Sequence, residues 1–242
     1  MMVYVNGDSY SSISDGKRYS EFLGEHYNCA SINNAISGSC NSRILRTSLR
    51  DLMELKKIED SIVAVISLTF LLRTELWDTL YQNKFINDGD FKSVQATLSK
   101  RWFYDKESLP INKYKDYLEQ WLRWYNVEAE TVNLIKEIIL LTSWCRLNGI
   151  RYTVFSGPLQ EPIDFQTPFV ESFYKEMIND ANVMNIFTNS FTEYCNLNGF
   201  VPIDTYTQEI RGTTYAIGHH GEKAHKAFAD HLIKNYLNEI SK

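Results

Sequence analysis

The 242-residue sequence is poor in the features that would commit it to several common classes of protein. Its 4 cysteines, Cys29, Cys40, Cys145 and Cys195, stand far apart with no CxxC pair. That argues against a disulfide framework or a zinc site, and for reduced, buried thiols in a cytoplasmic chain. Charge of one sign is also scarce: 25 Lys and Arg against 30 Asp and Glu leave a net −5, with no broad attraction to phosphate backbones or anionic membranes. Neither nucleic acid nor a membrane is an expected partner. The longest apolar stretches, Ile62–Leu72 and Leu134–Cys145, are too short to span a bilayer and are broken by Ser, Thr, Lys and Glu. The N-terminus has no basic region or long apolar run of the secretory kind, and no repeat or low-complexity tract is visible. Proline is sparse as well: 5 in all, three of them in the Gly157–Pro168 segment, which is therefore expected to be an irregular loop.

What is present is an ordinary globular balance, 44% apolar and 23% charged, with a high aromatic share of 15 Tyr, 13 Phe and 5 Trp. The length suits one elaborated α/β domain over 1–242. Short β-type runs at Met2–Asn6, Tyr27–Ile32, Ile62–Leu68 and Arg151–Ser156 alternate with helical candidates at Lys17–Glu25, Asn41–Ile58 and Val127–Leu147. Such alternation implies a mainly parallel sheet covered on both faces, a three-layer α/β/α fold. Between Thr74 and Asn126 it lapses into aromatic, charge-mixed sequence holding four of the five tryptophans, read as a mainly helical insertion after the third strand. Those aromatics either roof a pocket or pack the insertion onto the body. Later helices are expected at Glu171–Asn179, Asn182–Asn196 and Gly221–Ile240, with a last strand at Gly199–Asp204.

In an open parallel sheet, reactive groups collect beyond the carboxyl ends of the strands. There the first strand stops at Asn6-Gly7-Asp8-Ser9, in which Ser9 is a nucleophile or else a turn-forming or capping serine beside Ser11, Ser12 and Ser14. The second strand leads to the small-residue turn Ser37-Gly38-Ser39 and a helix beginning at Asn41, where Gly38 lets a backbone N–H approach a substrate oxygen. His219 lies in the loop just before the last helix, whose positive end favours a neutral ring. His220, His225 and His231 look helix-associated and lack a carboxylate or cysteine cluster, so no metal is expected, and no cofactor.

These three blocks, in this order, resemble the SGNH hydrolases, the GDSL-type esterases and lipases of flavodoxin-like fold. The resemblance implies Ser9 as nucleophile, His219 as base, and the N–H groups of Ser9 and Gly38 as oxyanion donors. It extends to divergent bacteriophage-encoded members through Gly38–Ile44, of the form Gly-Ser-x-Asn-x-x-Ile, and through Arg73-Thr74-Glu75. A phage-encoded chain would act in the host cytoplasm or on the virion.

Two departures stand out. The family asparagine after the third strand is absent, and Asn41, Thr69 or Arg73 are the groups available near the oxyanion or the substrate. The aspartate two or three residues before the histidine is replaced by Ile217 and Ala216, leaving a backbone carbonyl or Asp204 to orient His219. Three functions stay open on these residues. The first is hydrolysis of O-acyl or O-acetyl esters on a carbohydrate or small metabolite. The second is a catalytically decayed copy that binds a glycan or protein. The third is a flavodoxin-like phosphate cradle at Ser9–Ser14. The oligomeric state is not legible.

Overall fold

A computed structural model describes residues 1–71, 73–77, 91–95, 120, 123–160, 165–204, 206–210 and 213–237. In chain order the elements are β1 (Met2–Asn6), α1 (Ser9–Ser12), α2 (Tyr19–His26), β2 (Ala30–Asn33), α3 (Asn41–Leu55) and β3 (Ile62–Leu68). There follow β4 (Arg73–Trp77), β5 (Phe91–Gln95), α4 (Val127–Leu147), β6 (Arg151–Ser156), α5 (Pro168–Ile178) and α6 (Phe191–Leu197). The chain continues with β7 (Tyr206–Ile210), β8 (Thr213–Ile217) and α7 (Glu222–Leu232), which runs into a wider helical turn at Ile233–Leu237.

Four strands form an all-parallel sheet in the order β2-β1-β3-β6. Alternate residues of each inner strand feed opposite faces, as a period of two requires. Tyr4, Ile62, Ala64 and Ile66 pack under α3, α4 and α5 with Ile44, Leu52, Ile135, Ile138 and Met177. Val3, Val5, Val63 and Val65 face α2, α6 and α7 with Leu23, Phe191, Phe228 and Leu232. The result is three layers, with the strand order of doubly wound flavodoxin-like sheets as far as the fourth strand. Where a fifth strand would lie, the described residues make two isolated parallel bridges to β6, Val154 with Val183 and Ser156 with Ser190.

The expected helical insertion over 74–126 lies mostly outside the described residues, as do most of its aromatics; among the described residues Arg73–Trp77 and Phe91–Gln95 pair as an antiparallel hairpin, and Gln120 and Arg123–Trp124 are helical. Two expectations are corrected. The 182–196 helix begins only at Phe191, because asparagine and serine side chains before it bond to nearby backbone instead. Asn185 Oδ1 accepts from the Phe187 N–H, and Ser190 Oγ caps α6 at the Glu193 N–H. No strand forms over 199–204. Pro202, which has no N–H to give, makes a single bridge to His220, and Ile203 donates its N–H to the His219 carbonyl at 2.8 Å.

The carboxyl end of β1 is fixed by a buried polar cluster. Asn6 Nδ2 bonds to the Ile44 carbonyl at 3.1 Å, Thr47 Oγ1 at 2.8 Å and Ser48 Oγ at 3.0 Å, tying the end of β1 to α3. Its Oδ1 accepts the Gly7 N–H at 2.8 Å, which sets the turn leading to Ser9.

Candidate functional site

The segments after β1, β2 and β3 meet at one edge of the sheet. Ser9 is the first residue of α1, whose preceding residue Asp8 caps it by accepting the Tyr10 N–H at 3.1 Å. Ser9 is nearly buried, and neither its Oγ nor its N–H has a hydrogen-bond partner among the described residues. Its neighbours are engaged. Ser11 Oγ accepts from the Tyr19 hydroxyl at 2.6 Å, and Ser14 Oγ closes a turn with the Lys17 carbonyl and the Gly16 N–H. The serine-rich stretch is thus a helical turn in which the Ser11 and Ser14 hydroxyls are committed to the protein and the Ser9 hydroxyl is not.

The block after β2 is held against this turn by the Ile36 N–H, which donates to the Gly7 carbonyl at 3.1 Å. Ser39 N–H then closes on the Ile36 carbonyl at 3.1 Å, with Gly38 at φ +81, the positive angle expected at the third position of a type II turn. A Cβ on Gly38 would meet nothing within 4 Å, so glycine is needed here for its backbone angle and not for close approach. Among the described residues the Gly38 N–H has no acceptor.

After β3 the expected donors are turned inward. Asn41 clamps the Thr69 peptide from both sides, accepting its N–H at 2.7 Å and donating to its carbonyl at 3.0 Å. The Thr69 hydroxyl donates to Asp8 Oδ2 at 2.6 Å, and Arg73 Nη1 bonds to the same oxygen at 2.9 Å. The side chains of Asp8 and Arg73 are 0% and 8% exposed, so this is a buried ion pair. Burial pushes the Asp8 carboxyl up from the ordinary carboxylate value, against the pull of Arg73, Thr69 and the Tyr10 N–H. Gln160, from the proline-bearing loop, adds a bond to the Thr69 carbonyl at 3.3 Å and one to Ser156 Oγ at 2.8 Å. The sequence motifs assign no role to Asp8 or Gln160, and the side chain of Glu75 in the Arg73-Thr74-Glu75 motif lies outside the described residues.

On the other side, His219 Nδ1 lies 2.5 Å from Asp204 Oδ2, and its backbone N–H donates to Asp204 Oδ1 at 2.5 Å. The β7–β8 hairpin separates the two residues, and the flanking segments re-pair across its base through Ile203 with His219 and Pro202 with His220. Gly218 permits this closure, since a Cβ on it would run into the Asp204 carbonyl oxygen. Partial burial works to raise the Asp204 carboxyl, but the hydrogen bonds from the His219 ring and backbone outweigh it and hold it below the usual carboxylate value. Since ionised Asp204 only accepts, Nδ1 carries the proton of a neutral ring and Nε2 is left as its acceptor. The His219 ring lies 5.5 Å, centroid to centroid, from Tyr10, the residue after Ser9. Among the described residues no group of three or more His, Cys, Asp or Glu side chains converges as a metal site, and no helix is long and apolar enough to cross a membrane.

No protein-family model matches the chain, and no curated protein matches it in sequence. Among solved structures it is similar to LAE5, an alpha/beta hydrolase from the metagenome of Lake Arreo, Spain, at 13% identity and a TM-score of 0.47, over 98% of this chain and 96% of that one. It is similar to the psychrotrophic esterase EstA of a Pseudoalteromonas species, at 14% identity and a TM-score of 0.44, over 97% and 95%. A third is an acetylxylan esterase from Geobacillus stearothermophilus, at 14% identity and a TM-score of 0.42, over 97% and 93%. Likenesses at this level leave the chemistry to be argued from the residues themselves.

Proposed function

We propose that the protein is a serine hydrolase of ester bonds, acting on O-acyl or O-acetyl groups of a carbohydrate or small metabolite. The observation that carries this reading is the Asp204 carboxylate on His219 Nδ1, which leaves Nε2 as a base at the edge of the sheet where Ser9 Oγ is uncommitted. A hydrogen bond between nucleophile and base commonly tightens only with substrate in place. Ser9 Oγ attacks the ester carbon while His219 Nε2 takes the hydroxyl proton, and the N–H groups of Ser9 and Gly38 receive the negative charge on the carbonyl oxygen. Collapse of the tetrahedral species breaks the bond to the alcohol oxygen, which leaves with the proton from Nε2. Water, deprotonated by the same nitrogen, then attacks the acyl-serine, releasing the carboxylic acid and restoring Ser9. Asp204 keeps the tautomer and stabilises the transient imidazolium. The ester's acyl group and alcohol come from the family resemblance alone.

The test is hydrolysis of p-nitrophenyl acetate together with covalent labelling by a fluorophosphonate. Wild type is expected to turn over and to be labelled at Ser9, while Ser9→Ala and His219→Ala, folded by circular dichroism, lose about four orders of magnitude or more in kcat. Equal rates in all three proteins would leave the binding-module reading instead.

A further inference from the structure

We infer that Arg73 is the positioning residue of the proposed oxyanion site, fastening together the segments that follow three adjacent strands. This inference rests on the hydrolase reading above. Its basis is a single nitrogen. Arg73 Nη1 lies 2.9 Å from Asp8 Oδ2, 3.1 Å from the Ser39 carbonyl and 2.7 Å from Thr69 Oγ1. Asp8 follows β1, Ser39 follows β2 and Thr69 follows β3. Asp8 immediately precedes Ser9, and Ser39 immediately follows Gly38, so Nη1 reaches the residues next to both proposed oxyanion N–H groups. The Thr69 hydroxyl spends its hydrogen on Asp8 at 2.6 Å and accepts from Arg73, which closes a ring of three side chains.

The geometry at Nη1 is that of a positioning group: its two hydrogens face three protein acceptors, so this nitrogen has none left for a substrate oxygen. Nε is sealed from solvent with no partner among the described residues, and the guanidinium lies 5.1 Å from the Phe70 ring centroid, so the side chain is seated in the protein. A lysine in its place would bring one compact ammonium without the planar fork, and would not restore all three contacts at once. A displacement of about 1 Å in such donors costs on the order of a hundredfold in rate.

If Arg73 acts through Asp8, removing it harms the site twice, by releasing the Gly38–Ser39 turn and by leaving a buried carboxylate unpaired. Removing both charges relieves the second fault. The experiment measures kcat and KM for p-nitrophenyl acetate, fluorophosphonate labelling of Ser9 and thermal melting in wild type, Arg73→Met, Asp8→Asn and Asp8→Asn/Arg73→Met. Expected are a fall in kcat of about a hundredfold in Arg73→Met with KM within about threefold, slower labelling in proportion, and recovery of at least tenfold in kcat in the double variant, which also melts higher than Arg73→Met. If Arg73→Met does not fold, the double variant carries the test, with kcat expected within about tenfold of wild type. Wild-type kcat in folded Arg73→Met overturns the inference. So does a folded double variant no faster than Arg73→Met, or, where the single variant is unfolded, as slow as Ser9→Ala. A wild type that is neither active nor labelled overturns the hydrolase reading itself, and this inference with it.

Discussion

The two halves of the candidate site are built in different ways. The nucleophile half stands on three adjacent parallel strands, and its polar groups are shared several times over: Asp8, Thr69, Asn41 and Arg73 are all buried and bonded across segments. The base half rests on one carboxylate that is 45% exposed, delivered by a pairing of 202–204 with 218–220 beneath a hairpin. In the first half, position and stability are the same thing, because each proposed oxyanion N–H lies next to a residue held by a buried hydrogen bond. In the second, chemistry and stability come apart. Substitutions in the base half should therefore reduce rate with little loss of stability, and substitutions in the nucleophile half should reduce both.

The largest expected effect that separates the halves is at Asp204. In Asp204→Asn, either orientation of the amide sets an NH₂ group against one of the two His219 N–H groups, driving the ring to the tautomer with its proton on Nε2. The expected loss in kcat is about a thousandfold or more, larger than for Asp204→Ala, where water can reach the exposed Nδ1 side. Both variants should melt close to wild type, since an exposed carboxylate–imidazole pair contributes little to folding. Equal rates for Asn and Ala would show that the carboxylate does not set the tautomer. Gly218→Ala, which drives a methyl group into the Asp204 carbonyl, should reproduce most of the loss in kcat.

Asn41→Ala probes the other half. It strands the buried N–H and carbonyl of Thr69, although Gln160 still reaches the carbonyl. The expected cost is about 1–3 kcal/mol in urea unfolding, with a parallel fall in kcat of about tenfold. Unchanged stability alongside a large loss in kcat would mean that Asn41 touches the substrate, and the contrast between the halves would break.

How much of this was legible in the sequence follows the same division. β1, β3 and β6 begin and end where the apolar runs do, because a parallel strand covered on both faces is written almost wholly in buried residues. The edge strand β2, Ala-Ser-Ile-Asn and only partly buried, carries no such run and was placed too early; Tyr27–Cys29 instead close α2, with Asn28 at φ 48. The helix expected over Val127–Leu147 is α4 with the same bounds, and the structure shows Asn126 capping it by accepting the Ala129 N–H. The order of Ser9, Gly38 and His219 along the chain was readable too, since each follows a strand or precedes a helix. The Asp8–Arg73 contact was not, because nothing local joins residues 65 positions apart. The partner of His219 was obscured by spacing: a hairpin stands between Asp204 and His219, where a run of three residues was the expected distance. Tyr-Thr-Gln-Glu-Ile, then Arg-Gly, then Thr-Thr-Tyr-Ala-Ile is β-branched and aromatic sequence around a two-residue turn, and that signal would have revealed the hairpin.

The smallest expected effect is on the pH dependence of the base half. Burial lowers the His220 ring to about 4, with a smaller push from His219 and an opposing pull from Asp204, and burial likewise lowers His225 to about 4. His225 is well served as a neutral ring, accepting the Tyr19 N–H at Nδ1 and donating from Nε2 to the Ile13 carbonyl. Among the described residues His220 has no partner at either nitrogen, and its ring packs edge-on with Phe191 at 5.5 Å between centroids. Both rings are neutral when folded and take up protons more readily when unfolded. Their contribution to stability is therefore complete above the ordinary histidine value of 6.5 and is lost as pH falls toward about 4. His220→Phe removes one of the two sites, so its melting temperature should fall less steeply between pH 7 and pH 5, by about 1 kcal/mol of stability. Amide exchange locates the effect. Ile203 N–H, bonded to the His219 carbonyl, should lose protection on acidification in wild type and keep it in His220→Phe, while Thr69 N–H, bonded to Asn41, stays protected in both. Equal loss at Ile203 and Thr69 would mean that the two halves open as one unit, and that the buried network of the nucleophile half gives it no stability of its own.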